Sequence, residues 1–156
     1  MTSSAVKSVY LGWLSAALAK VRGATSAIAA DQQDLVLGYA THYDVADIAI
    51  FVRSLRAFYS GPAALVVDAT PDVRAFLAEY GIEALDDPCV TRGHDGKVWT
   101  PHPVVSRFAG FDVLLNERPW ARNVLLTDVR DVVFQADPFA QAPEGLEFFA
   151  ECDAPL

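Results

Sequence analysis

Apolar residues fall into short, strand-forming runs that alternate with stretches of helical period along this chain. The runs at 35–39, 63–67, 82–85 and 124–126 are long enough for strands and too short for helices. Between the first two, Ile48, Phe51, Val52, Leu55 and Phe58 recur on one face of a helix predicted over 45–59. Asp44 is placed to cap that helix and Ser60-Gly61-Pro62 to end it. Val73, Phe76, Leu77 and Tyr80 mark a second helix, opened by Pro71 after Thr70 and stopped by Gly81. A third, over 104–117, carries Val105, Phe108, Phe111, Val113, Leu114 and Leu115. Repeated strand–helix–strand order predicts an α/β fold with a mainly parallel, Rossmann-like sheet and helices on both faces. Residues 86–103 read as an irregular loop with His94-Asp95-Gly96 as a turn, and 146–150 as a last strand.

Ahead of the first strand, Val6, Val9, Tyr10, Trp13, Ala17 and Val21 recur at helical spacing, and Gly23 is a plausible stop. The apolar run at 9–19 falls well short of the about 20 residues that a bilayer span requires. Lys7 and the later Ala and Ser residues mimic a signal peptide, but an N-terminal amphipathic helix accounts better for the stripe. The expected organisation is a helical extension over 1–30 and one α/β domain over 31–156. The stripe suits packing on that domain or on a partner, so a homo-oligomer or a second chain stays open.

Composition narrows the choices. With 156 residues, 53% of them hydrophobic, the chain suffices for one domain with a sizeable core. Twenty acidic against twelve basic residues give a formal net charge of -8, which argues against nucleic acid as a partner. Cys89 and Cys152 lie far apart without a Cys-x-x-Cys pair, as expected of free thiols in a reducing, cytoplasmic setting.

The candidate chemistry lies in 123–135. Val124-Leu125-Leu126 reads as a strand buried on both faces, the type found at the centre of an α/β sheet. In such sheets ligands bind beyond the carboxyl ends of the strands, where Asp128 belongs. Residues 128 and 131 would face opposite ways in a continuing strand, so a turn between them is needed for both to meet one ligand. Two convergent carboxylates would make a hard oxygen site suited to Mg²⁺ or Mn²⁺ rather than zinc. The alternative for Asp128, Arg130 and Asp131 is a surface ion network. Arg53 and Arg56 read first as a solvated helix face, and Asp68 as a polar residue leading into the next helix. No dinucleotide, P-loop, hydrolase-elbow or zinc-protease fingerprint is met. A strand ending in Asp is also found in haloacid-dehalogenase-like phosphatases, but Arg130 stands where their acid/base carboxylate belongs, and a guanidinium cannot shuttle that proton.

Thr127-Asp128-Val129-Arg130-Asp131-Val132-Val133-Phe134-Gln135-Ala136-Asp137-Pro138-Phe139 resembles the metal-site strand of nucleotide-sugar-dependent glycosyltransferases of the GT-A fold. In particular it resembles a group whose Asp-x-Asp motif is written Asp-Val-Arg-Asp before Phe-Gln-x-Asp-Pro-Phe. Ala40-Thr41-His42-Tyr43 resembles the loop with which that family holds the nucleotide base, and Phe51-Val52-Arg53-Ser54-Leu55-Arg56 the helix that follows. Ser106-Arg107-Phe108 resembles the segment whose basic residue reaches the donor sugar or its phosphates.

The resemblance implies a nucleotide-diphosphate sugar as donor, with Thr41, His42 and Tyr43 at the nucleotide and Arg107 at its sugar or phosphates. It also implies Mn²⁺ or Mg²⁺ on Asp128 and Asp131. In the plain Asp-x-Asp form the second carboxylate falls where Arg130 stands, so Asp131 must take that role or the metal geometry differs. The family fold continues well past this point. The chain is therefore expected to be a donor-binding half, truncated or completed by a second chain, with the acceptor (a glycan, protein or lipid) and any catalytic base left unassigned. A non-catalytic α/β binding or assembly module is the alternative.

Overall fold

A computed structural model describes residues 32–68, 70–92, 98–99, 103–141, 143 and 145–147. The N-terminal amphipathic helix, the His94-Asp95-Gly96 turn, His102 and Cys152 lie outside them. In chain order the elements are β1 (Gln33–Ala40), α1 (Val45–Phe58), β2 (Ala63–Val67), α2 (Pro71–Glu79), β3 (Glu83–Leu85), β4 (Thr91–Arg92), β5 (Val98–Trp99), α3 (Pro103–Asn116) and β6 (Ala121–Asp128). Four strands form one sheet in the order β3-β2-β1-β6, and every pairing in it is parallel.

β1 is the spine, because side chains along a strand alternate between faces. Leu35, Leu37 and Tyr39 pack with Phe111 and Leu114 of α3 on one face. Val36 and Ala40 pack on the other with Ile48, Phe51, Val52 and Leu55 of α1 and Val73 and Leu77 of α2. The sheet is therefore covered by helices on both sides, as expected. Each fully buried Leu, Ile or Phe contributes about 1.5–3 kcal/mol of burial free energy, so these two clusters dominate the fold's stability.

Local chemistry sets the element ends. Asp44 closes a capping box on α1: its carboxylate accepts from Asp47 N at 3.0 Å, and its own N–H donates to Asp47 Oδ2 at 3.1 Å. Such a cap stabilises by about 1 kcal/mol. α2 starts on Pro71 and ends where Gly81 takes a φ of 61°, with Ile82 N donating to Leu77 O at 2.9 Å. Gly38 in β1 is needed for a close approach. A Cβ there would lie 2.8 Å from both Leu65 Cδ2 and Val129 Cγ2.

Three expectations need correction. Among the described residues β6 is an edge strand, with β1 as its one neighbour, and Leu126 is 43% exposed. Val124 and Leu125 are only partly buried, each against a different core cluster. The strand buried on both faces at the centre is β1. Residues 86–103 are not wholly irregular, since β4 and β5 pair antiparallel within them. Two-residue strands carry too little pattern to be read. Leu146 and Glu147, taken as the start of a last strand, have no regular structure, and 148–150 lie outside the described residues.

Candidate functional site at the carboxyl end of the sheet

From β1 the chain steps outward through β2 to β3, then returns to the opposite side of β1 as β6. The switch point is therefore the crevice between the carboxyl ends of β1 and β6, the place where open α/β sheets bind ligands. Tyr39 of β1 is in register with Asp128 of β6 there. A cavity of about 310 Å³ opens at this point, lined by Tyr39, Thr41, Tyr43, Arg107, Asp128, Arg130 and Asp131.

Backbone turns deliver those side chains. β6 ends at Asp128, and the chain bends through 129–131 with Val129 buried against Gly38. It then folds back over α1. Phe134 N donates to Ser54 Oγ at 3.1 Å, and the Phe134 ring meets Phe51 edge-on at 5.2 Å. That bend puts Asp128 and Asp131 on one cavity. The turn required between the two carboxylates is present.

After β1, His42 adopts a φ of 67°, a left-handed conformation that side-chain-bearing residues rarely take. Asp68, at the end of β2, holds it there: Oδ2 accepts from His42 N at 2.7 Å and lies 3.3 Å from His42 Nδ1. The His42 N–H is thereby spent inside the fold, whereas Thr41 and Tyr43 line the cavity. Asp68 shapes the loop.

Arg107 reaches the site from the first half of α3 and donates through Nη1 to Asp128 Oδ1. Its guanidinium also lies over the Phe108 ring at 5.3 Å. Its Nε is buried with no hydrogen-bond partner among the described residues. A buried donor atom left without an acceptor costs free energy.

Tyr39 forms the floor. Its hydroxyl donates to Asp87 Oδ1 at 2.8 Å, and its ring meets Phe111 edge-on at 5.3 Å. Burial, reinforced by the Asp87 carboxylate, pushes the Tyr39 hydroxyl far above its ordinary value, so it stays protonated. Nearby Cys89 is a free thiol, also pushed up by burial and by Asp87. Such a thiol is a poor nucleophile at neutral pH.

Comparison with family models, with curated proteins and with solved structures finds no match.

Among the described residues no cluster of three or more His, Cys, Asp or Glu side chains could hold a metal. The cavity offers a cation the Asp128 and Asp131 carboxylates and little else. Mg²⁺ and Mn²⁺ are commonly held in this way, by one or two carboxylates plus the phosphates of a bound nucleotide. The donor set fits that mode rather than an all-protein cage. Two guanidiniums and two carboxylates line the same space, so charge there is balanced although the chain is acidic.

A larger cavity, about 540 Å³, lies at the amino ends of the strands between Gln33, Leu35, Pro62, Ala63, Gly81, Glu83 and Trp120. Its one ionisable group, Glu83, is engaged by Arg118 at 3.1 Å. Size alone does not make it the better site, because it lacks converging polar groups.

Tyr39 and Arg130 were not read from sequence as lining residues. Tyr39 could have been found as the penultimate residue of the strand before Thr41. Asp68 and Asp87 act across 26 and 48 residues, and no local pattern signals that.

Proposed function

We propose that this chain is the donor-binding domain of a metal-dependent glycosyltransferase, which accepts a nucleotide-diphosphate sugar at the β1–β6 crevice. One observation carries the reading: Asp128 and Asp131 line a single cavity at the switch point of a parallel sheet, together with Arg107 and Tyr43. The resemblance of residues 127–139 to a GT-A metal-site strand agrees with that placement.

In this reading Asp128 and Asp131 hold Mn²⁺ or Mg²⁺. When bound, the cation supplies Lewis-acid stabilisation of the charge that develops on the departing nucleoside diphosphate. Arg107 and Arg130 contribute positive charge to the same phosphates, and a guanidinium fork matches two phosphate oxygens better than a point charge does. Tyr43 offers its ring to the base. Thr41 lies at the same edge, and the Asp68 brace on His42 keeps the loop in one conformation. The chain's role is to bind and orient the donor. The acceptor, and the base that an inverting enzyme would need for it, are left unassigned. In the same reading the chain works in a reducing, cytoplasmic setting, as expected of two cysteines far apart in sequence. Among the described residues no helix is long and apolar enough to cross a membrane.

A thermal-shift panel of uridine, guanosine, adenosine and cytidine diphosphates tests the reading. At least one should raise the melting temperature more with Mn²⁺ than without it, and Asp128→Ala should abolish that Mn²⁺-dependent increment. A flat panel would overturn it.

Among the described residues β6 has one unpaired edge and carries the exposed Leu126, which favours a second reading: a non-catalytic module that assembles by adding a strand there. That reading expects no nucleotide effect, and an oligomeric state that changes on Leu126→Lys.

A further inference from the structure

We propose that Arg107 is exchanged between Asp128 and the bound diphosphate, so that cation and nucleotide bind cooperatively through this one side chain. The inference rests on the donor-site reading above and adds how the site is regulated.

Asp128 is not free to take a cation. Its Oδ1 accepts from Arg107 Nη1, so a metal arriving alone shares that carboxylate with a guanidinium and meets its positive charge. Arg107 is itself incompletely satisfied, because its Nε is buried without a partner among the described residues. The guanidinium carries five donors in a planar fork, and one carboxylate oxygen meets only part of it. Arg107 lines the adjoining 310 Å³ cavity, and a diphosphate there offers its guanidinium several anionic oxygens at once. Moving Arg107 onto the phosphates releases Asp128 for the cation, and the cation in turn neutralises the phosphates. Linkage makes the effect reciprocal: whatever the diphosphate does to metal affinity, the metal does to diphosphate affinity. The pair is only partly shielded, with Arg107 26% and Asp128 64% exposed, so the expected coupling is modest.

The test reads free Mn²⁺ by electron paramagnetic resonance on the full chain, alone and with uridine or guanosine diphosphate. Arg107→Gln should bind Mn²⁺ alone about fivefold more tightly than wild type, since the competing guanidinium is gone. It should also bind the diphosphate more weakly in metal-free buffer. Equal Mn²⁺ affinities in wild type and Arg107→Gln, with Asp128→Asn still abolishing diphosphate-dependent Mn²⁺ binding, would overturn the exchange and leave the donor site standing. If Asp128→Asn leaves that binding intact, the donor site falls and the exchange with it. Should Arg107→Gln fail to fold, Asp128→Asn reads the exchange from the other side. With its guanidinium released, it should bind uridine or guanosine diphosphate in metal-free buffer more tightly than wild type, and equal affinity would overturn the proposal.

Discussion

An Asp and an Arg meet at each end of β6, and the two pairs are built differently. At the amino end Asp34 is fully used. Its Oδ1 accepts from Arg122 Nε at 3.0 Å and Asn123 Nδ2 at 2.8 Å, and its Oδ2 from Arg122 Nη2 at 2.8 Å. The Arg122 hydrogen bond holds the Asp34 carboxyl below the usual range, against the opposing pull of burial. Around it, Tyr59 donates to Asp34 O at 2.5 Å, and burial pushes that phenol up to about 12. Arg56 meets no carboxylate there. It donates to the carbonyls of Tyr59, Gly61, Tyr80 and Gly81 at 2.8–3.1 Å, tying together the turns that feed β2 and β3.

At the carboxyl end Arg107 donates to one oxygen of Asp128, and its Nε has no partner among the described residues. Similar residue types are therefore fully engaged at one end and, among the described residues, only partly engaged at the other. Satisfied polar networks hold folds together, whereas a partly satisfied group at a crevice contributes less to stability.

Breaking each end should show the difference. The largest effect is expected at the amino end: Arg56→Ala leaves four carbonyls without their donor and should cost about 2–4 kcal/mol in denaturant unfolding. A cost below about 1 kcal/mol would mean that water replaces the clamp. Next comes Gly110→Ala in α3, where a Cβ would lie 2.0 Å from the Tyr39 hydroxyl. Forcing Tyr39 off Asp87 or α3 off the sheet should cost about 1–3 kcal/mol and loosen the floor of the cavity.

Arg107→Ala should change stability by less than about 1 kcal/mol, because its ion pair with Asp128 is partly exposed and its Nε has no partner among the described residues. A large loss would make Arg107 a structural residue like Arg56. The smallest effect is in acid. The folded-state value of Asp34 is depressed, so its contribution is present above about pH 3.9 and is lost as pH falls through the lower folded value. Asp34→Asn should remove that part of the acid limb from a pH-dependent unfolding series.

Much of this was legible in the residues. β2 matches its expected span, and the Asp44 cap and the Gly81 stop lie where side-chain chemistry put them. These features are local. The edge position of β6 was not legible, because Val124-Leu125-Leu126 is equally apolar at a centre or at an edge, and neighbours decide which. Arg56 was read as a solvated face for a similar reason. Its partners are backbone carbonyls of two separate turns, which leave no side-chain signature. Asp128 and Asp131 could be named as a pair, but their shared cavity depends on Val129 packing under Gly38, a contact across most of the chain.

The most direct test is a Mn²⁺ titration by electron paramagnetic resonance with a saturating nucleoside diphosphate, comparing wild type with Asp128→Asn and Asp131→Asn. If both carboxylates serve one ion, either substitution removes the bound signal. Retention of wild-type binding by either variant would show that the two acids do not share a ligand, and the proposed donor site would have to be abandoned.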